Sequence, residues 1–145
     1  MRILGVDFGQ ENLGVAISNE EGSLAQGLMV ISRKEWEKRL PEIIRNYQVE
    51  LVVVGLPKTM DNKSSGQTQK VLYFIERLKK LVVCPITEWD ERLSSKLAER
   101  YLLAADLSRE KRKKVIDRLS AQIILQDYLD FRQKPDYPSK TAEEL

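Results

Sequence analysis

The chain contains no histidine and a single cysteine, Cys84. Without histidine, no Ser-His-Asp or Cys-His catalytic arrangement can be built, and His-ligated zinc or haem is excluded. One cysteine forms no intrachain disulfide, which excludes the stapled framework of a small secreted scaffold. Cys84 falls in an apolar run and reads as a small core residue rather than a reactive thiol. Long apolar runs are also lacking: none approaches the ~18 residues of a membrane-spanning helix. Met1 to Asp7 has no signal-peptide architecture, so a cytoplasmic protein without a membrane partner is expected. Charge of one sign is scarce too, with 24 Lys and Arg against 22 Asp and Glu for a net +2. Such an average can still conceal a local basic patch. These absences leave chemistry built on carboxylates. Any metal must be held mainly by oxygen, which favours Mg²⁺, Ca²⁺ or Mn²⁺ over zinc or copper.

What is present fits one domain of ordinary size, 145 residues long. Ile3 to Val6 and Leu13 to Ile17 are apolar runs joined by a Gly9-containing turn, the pattern of a β-hairpin. Leu24 to Ile31 extends it as a third strand. Trp36, Leu40, Ile43, Ile44 and Tyr47 recur at helical spacing, with Pro41 expected to kink or restart the helix. Leu51 to Val54, β-branched and bounded by Gly55 and Pro57, reads as a strand buried on both faces. Pro57 to Gln67 is polar and reads as a loop. Val71, Phe74, Ile75 and Leu78 mark a second helix, and Val82 to Ile86 a further strand in which Pro85 suggests an edge. Leu93, Leu97, Tyr101 and Leu102 mark a third helix. A last helix is expected from an N-cap at Ser108 to about Tyr128. The order β-β-β-α-β-α-β-α-α predicts an α/β fold: a mixed five-stranded sheet, first a meander and then strands alternating with helices that flank it. Residues 1–131 form the domain, and 132–145, with Pro135 and Pro138, a loose tail.

Three acidic positions sit at the edges of apolar elements. Asp7 ends the first strand and by parity shares a face with Ile3 and Gly5, where glycine leaves room beside the carboxylate. It can also serve merely as turn chemistry before Gly9. Asp90 and Glu91 follow a strand; neighbours on an extended segment face opposite ways, so one points into a site while the other caps a helix or pairs with Arg92. Asp117 aligns at helical spacing with Ala121, Ile124 and Tyr128, an apolar stripe distinct from the polar stripe of Lys114, Arg118, Gln122 and Gln126. A carboxylate there requires a partner, either a cation or a basic side chain such as Arg92 or Arg100. Small Ser120 and Ala121 allow another element to approach closely. Carboxylates converging at one sheet edge repel unless a cation lies between them. Two Mg²⁺ ions ~4 Å apart in such a cluster activate water and stabilise the leaving oxygen of a phosphodiester.

Arg109, Lys111, Arg112, Lys113 and Lys114 crowd the start of the last helix, directly before Asp117. Such a run is ordinarily a solvated face, but beside a candidate metal ligand it reads as a surface able to neutralise phosphates. Lys58, Lys63 and Arg92 are further candidate nucleic-acid contacts. No aromatic stacking platform is evident.

Arg2-Ile3-Leu4-Gly5-Val6-Asp7 with Gly9, Val53-Val54-Gly55-Leu56-Pro57, Trp89-Asp90-Glu91-Arg92 and Ser108 to Asp117 occur in this order over residues 1 to about 130. Together they resemble the YqgF-type (RuvX-like) family. The resemblance implies an RNase H-like fold and a nuclease dependent on Mg²⁺ or Mn²⁺. It implies either maturation of the 5′ end of pre-16S ribosomal RNA or resolution of Holliday junctions in DNA. Carried over by position, the catalytic and metal-binding acids are Asp7, Glu91 (or Asp90) and Asp117. The chain departs from the family at Gln10-Glu11-Asn12, where members carry Lys or Arg, and at Asn19, where Asp is frequent. A missing cation beside the site weakens phosphate binding, and Glu11 adds repulsion.

Two other classes remain as competitors. Asp7-x-Gly9 followed by Gly14 to Ile17 also resembles the first phosphate motif of actin-like ATP-binding domains, although a nucleotide cleft of that kind needs two such domains. A non-catalytic RNA- or ribosome-binding module fits the loss of basic residues at Gln10 to Asn12. RNA trimming suits a monomer, whereas junction resolution needs the paired cuts of a homodimer.

Overall fold

The structure, a computed structural model, describes residues 1–56, 66–90 and 109–133, with side chains from residue 115 onward in the last segment. Within it β1 (Ile3–Phe8), β2 (Asn12–Ser18) and β3 (Ala25–Ser32) form the antiparallel meander. Then follow α1 (Trp36–Asn46), β4 (Leu51–Leu56), α2 (Gly66–Leu81), β5 (Ile86–Asp90) and α3 (Arg109–Arg132). The five strands lie in the order β3-β2-β1-β4-β5, with β4 parallel to both β1 and β5. The mixed α/β sheet anticipated from the sequence is therefore present. The parallel pairs are those whose connections pass through helices, as parallel pairing requires.

Side-chain alternation divides the sheet into two faces. Leu4, Val6 and Phe8 of β1, Leu13, Val15 and Ile17 of β2, and Val52, Val54 and Leu56 of β4 face α1 and α2. Trp36, Leu40, Ile43 and Ile44 of α1 meet Val71, Phe74, Ile75 and Leu78 of α2 in that core. Phe74 stacks on Phe8 at 4.6 Å and meets Trp36 edge-on at 4.6 Å. Burying each such side chain contributes roughly 1.5–3 kcal/mol. On the other face, Ile3, Ala16 and Val53 pack against Ala121, Ile124, Leu125 and Leu129 of α3.

Four boundaries differ from the sequence reading. Pro41 lies inside α1, which runs through it without a restart; buried Leu40, Ile43 and Ile44 on either side hold the helix where one backbone bond is lost. The helix α2 already begins at Gly66, inside the segment expected to be loop. The last strand is Ile86–Asp90 rather than Val82 to Ile86. The Val52 N–H donates to the Pro85 carbonyl and pairing proper starts at Val52 with Ile86, while Val83 is fully exposed. An apolar triplet after α2 thus imitated a strand, and the real one is only half-buried. Finally, α3 continues to Arg132, a turn beyond Tyr128, because Leu129 is buried and Phe131 packs on Trp89. The expected helix through Leu93 to Leu102, the Ser108 cap and most of the C-terminal tail lie outside the described residues.

Candidate active site

The site is built where α3 crosses the end of the meander. Asp7 pairs across the hairpin with Gly14, and cross-strand partners share a face, here the face covered by α3. Gly14 has no side chain, and the backbone of Asp117 occupies the space one would fill: a Cβ at Gly14 would stand 1.8 Å from the Asp117 carbonyl oxygen. A second close approach lies two pairs along, on the same face, where a Cβ on Gly5 would meet the Leu125 Cβ at 2.7 Å and the Ala121 carbonyl at 3.2 Å. The room expected beside Gly5 is thus taken up by the helix. Two glycines at the parity of Asp7 and small residues on α3 let a helix lie almost on the strands. The result brings Asp7 and Asp117 to neighbouring positions. Both are half-buried.

The register also separates Asp90 from this face. Asp90 pairs with Leu56, on the α1/α2 side, whereas Thr87 and Trp89 alternate to the α3 side. Trp89 packs edge-on against Tyr128 at 5.4 Å, and its Nε1–H donates to Asp127 Oδ2 at 2.8 Å. Glu91, Arg92, Arg100, Lys58 and Lys63 lie outside the described residues. Among the described residues no group of three or more metal-ligating side chains is found; the described part of the site holds the two aspartates. Arg109, Lys111, Arg112, Lys113 and Lys114 fall on the first two turns of α3, one to two turns before Asp117 along the backbone.

Three further features were not read from the sequence. Arg33, at the start of the β3–α1 connection, donates from Nη1 to the Gln10 carbonyl at 2.8 Å, and its backbone N–H donates to the Glu11 carbonyl at 3.0 Å. Its guanidinium lies 4.6 Å over the Phe8 ring. A cation therefore stands at the Gln10-Glu11-Asn12 turn although the turn itself supplies none. Next, the polar stripe of α3 acts on the open edge of β3. Gln122 Oε1 accepts from the Gly27 N–H at 3.1 Å, and Gln126 Oε1 accepts from the Ala25 N–H at 2.8 Å. Such bonds occupy donors that an edge strand would otherwise offer to another chain. Lastly, Asn19 belongs to the opposite end of the sheet from Asp7. Its Oδ1 accepts from the Ser23 and Leu24 N–H groups and its Nδ2 donates to Ser23 Oγ, so this departure serves a turn. No described helix is long and apolar enough to cross a membrane.

This arrangement has counterparts among known proteins. A family profile described as RuvX, Holliday junction resolvase, matches residues 1–131. A curated relative from Desulforamulus reducens is 52% identical over 133 residues, covering 90% of this chain and 97% of its own length. Another, from Caldanaerobacter subterraneus subsp. tengcongensis, is 49% identical over 134 residues, covering 90% and 96%. Both are named "Putative pre-16S rRNA nuclease". Among solved structures, the Fowlpox virus resolvase in complex with Holliday junction DNA aligns with a TM-score of 0.58 at 16% identity, over 92% of this chain and 100% of that one. T. thermophilus RuvC with a Holliday junction substrate aligns at 0.55 and 17% identity, over 91% and 96%. At these identities the likeness is one of fold, that of RNase H-like resolvases.

Proposed function

Because the chain belongs to the RuvX family of Holliday junction resolvases, we propose that it is a metal-dependent nuclease acting on structured nucleic acid, with the 5′ end of pre-16S ribosomal RNA as its substrate. The observation that carries the site assignment is the contact of Gly14 with the Asp117 backbone, which sets Asp117 beside Asp7 on one face of the sheet. The choice of RNA follows the names of relatives that match this chain over nearly their whole length.

The donor set suits a hard divalent ion. The backbones of β1 and α3 that carry the two aspartates come together at Gly14, and the chain has no histidine to recruit zinc or copper. Mg²⁺ or Mn²⁺, when bound, supplies an activated water and charge stabilisation at the leaving oxygen. Asp7 and Asp117 hold it. Glu91 is the third ligand in this reading, supported by the register that turns Asp90 to the other face. The basic start of α3, with Arg109, Lys111, Arg112, Lys113 and Lys114, grips the phosphates flanking the cut, joined by Lys58, Lys63 and Arg92. Hydrolysis by water leaves 5′-phosphate and 3′-hydroxyl ends.

A second reading, resolution of four-way DNA junctions, is favoured by the description of the matching family profile. It requires a homodimer, whereas RNA trimming proceeds on a monomer. Side-by-side cleavage of a 5′-extended pre-16S RNA and a four-way DNA junction, with Mg²⁺, Mn²⁺ or EDTA, separates the two. Metal-dependent trimming of the RNA is the expected result. Cutting of the junction alone transfers the assignment to DNA, and RNA binding without cleavage of either substrate makes the chain a binding module.

A further inference from the structure

On the α1/α2 face of the sheet, at the end of β1, Phe8, the residue after Asp7, lines a groove of about 300 Å³ beside the two helices. Trp36 and Phe74 continue its floor, and Tyr73 stands at its rim with 73% of its surface exposed. A ring of that size left in water on a helix is not explained by the core, which Phe74 beside it already fills. The groove is also positively charged. Among the described residues, Arg33, Lys70 and Arg77 line it together with the carboxylate of Glu37, which is engaged with Arg77 at 3.3 Å. The described lining thus carries three cations to one carboxylate. The groove is tied to the end of β1 as well: Gln67 Nε2 donates to the Phe8 carbonyl at 3.2 Å, and Arg33 bridges from the Phe8 ring to the Gln10 carbonyl.

We propose that this groove receives an unpaired nucleotide of the RNA substrate, its base stacked on Tyr73 and its backbone phosphates held by Arg33 and Lys70. An exposed aromatic face with adjoining cations is the combination that binds single-stranded nucleic acid without sequence preference. Asp7 and Phe8 are neighbours at the end of β1 that face opposite sides of the sheet, so a strand cut at Asp7 and Asp117 reaches the groove by passing round the end of that strand. The inference rests on the nuclease reading and deepens it. It implies that the preferred substrate has an unpaired extension next to the scissile phosphate, which an intact duplex lacks. It also supplies a stacking platform that was not evident from the sequence, because Tyr73 stands within an otherwise ordinary amphipathic helix.

The test measures binding by fluorescence anisotropy, using an RNA hairpin with a single-stranded 5′ extension and the same hairpin with a blunt end. The protein carries Asp7→Asn to prevent cutting. Adding Tyr73→Ala is expected to weaken binding of the extended hairpin by about fivefold or more, the low end of what loss of one base–aromatic stack produces. Blunt-hairpin binding stays unchanged, and Tyr73→Phe restores the affinity. Lys70→Ala is expected to lower the slope of log affinity against log salt by ~0.7, the value for one lost single-strand phosphate contact. Because Tyr73 is exposed, the variant keeps the thermal midpoint of its parent. Equal affinities for both hairpins, or a loss shared by the blunt one, overturn the groove assignment while leaving the Asp7 and Asp117 site standing. Failure of the parent to bind or cut either RNA overturns the nuclease reading together with it.

Discussion

Gly14 lies directly beneath the backbone carbonyl of Asp117, so closely that any side chain at position 14 would occupy the place of that oxygen. The contact joins the hairpin that carries Asp7 to the helix that carries Asp117. The geometry of the site therefore depends on an atom that is missing, the Cβ of residue 14.

Substitution at this contact should be severe. Gly14→Ala forces α3 away from β2, at the overpacking cost of about 1–3 kcal/mol or more, and cleavage falls with it. Gly27→Ala is the control, since its new Cβ would meet the side chain of exposed Arg118 at 2.7 Å rather than backbone. Urea denaturation of both variants checks this, with Gly14→Ala expected to be clearly the less stable.

The glutamines of α3 give a second prediction. Gln126→Met keeps the bulk but leaves the Ala25 N–H without its acceptor and the Ser23 carbonyl without its donor. A net loss of about 1–3 kcal/mol is expected. Hydrogen exchange should show faster exchange at Ala25, while the amides of β1 and β4 keep their protection.

Much of this arrangement can be read from the sequence, and the part that cannot has a physical reason. Asp7 at the end of an apolar strand and Asp117 on an apolar helical stripe are visible as carboxylates placed where burial penalises them. Gly14 was visible only as part of a hairpin, because its purpose depends on a helix about a hundred residues away. Gln122 and Gln126 formed a polar stripe whose partner, the β3 edge, cannot be inferred from local periodicity. Arg33 reaches back 23 residues to the turn it supports, a contact that local periodicity does not reveal either. The misplaced strand at Val82 shows the opposite effect: a locally apolar triplet outweighed the half-exposed ITEWD segment that pairs with β4. That displacement kept Asp90 and Glu91 open as alternatives, and the register separates Asp90 from the face of Asp7.

Cys84 offers a pH-dependent prediction. Burial raises its thiol above the ordinary value by disfavouring the thiolate. Alkylation by iodoacetamide at neutral pH should be slower than for a free thiol and should accelerate as pH rises beyond the ordinary thiol pKa. The sign for stability follows, because the folded chain holds this proton more tightly than the unfolded chain. The contribution is present below the unfolded thiol pKa and lost as pH rises through the folded one.

The pairing of Trp89 with Asp127 yields a fourth prediction. Trp89→Phe retains an aromatic body against Tyr128 and Phe131 but removes the indole donor to Asp127. A loss at the low end of the ~1.5–3 kcal/mol typical of a hydrogen bond to a charged group is expected in urea, because this bond is exposed. Trp89→Ala, which also removes the packing, should lose more.

The central claim is that Asp7 and Asp117 form one carboxylate site from which Asp90 is excluded. Its most direct test is the rate of pre-16S RNA trimming in Mg²⁺ by the parent protein and by the Asp7→Asn, Asp117→Asn and Asp90→Asn variants. The account predicts losses greater than about 100-fold for the first two, beyond the ~10–100-fold carried by residues that merely support a metal ligand. Asp90→Asn should retain near-parental activity. Trimming at the parental rate by either Asp7→Asn or Asp117→Asn would contradict the account.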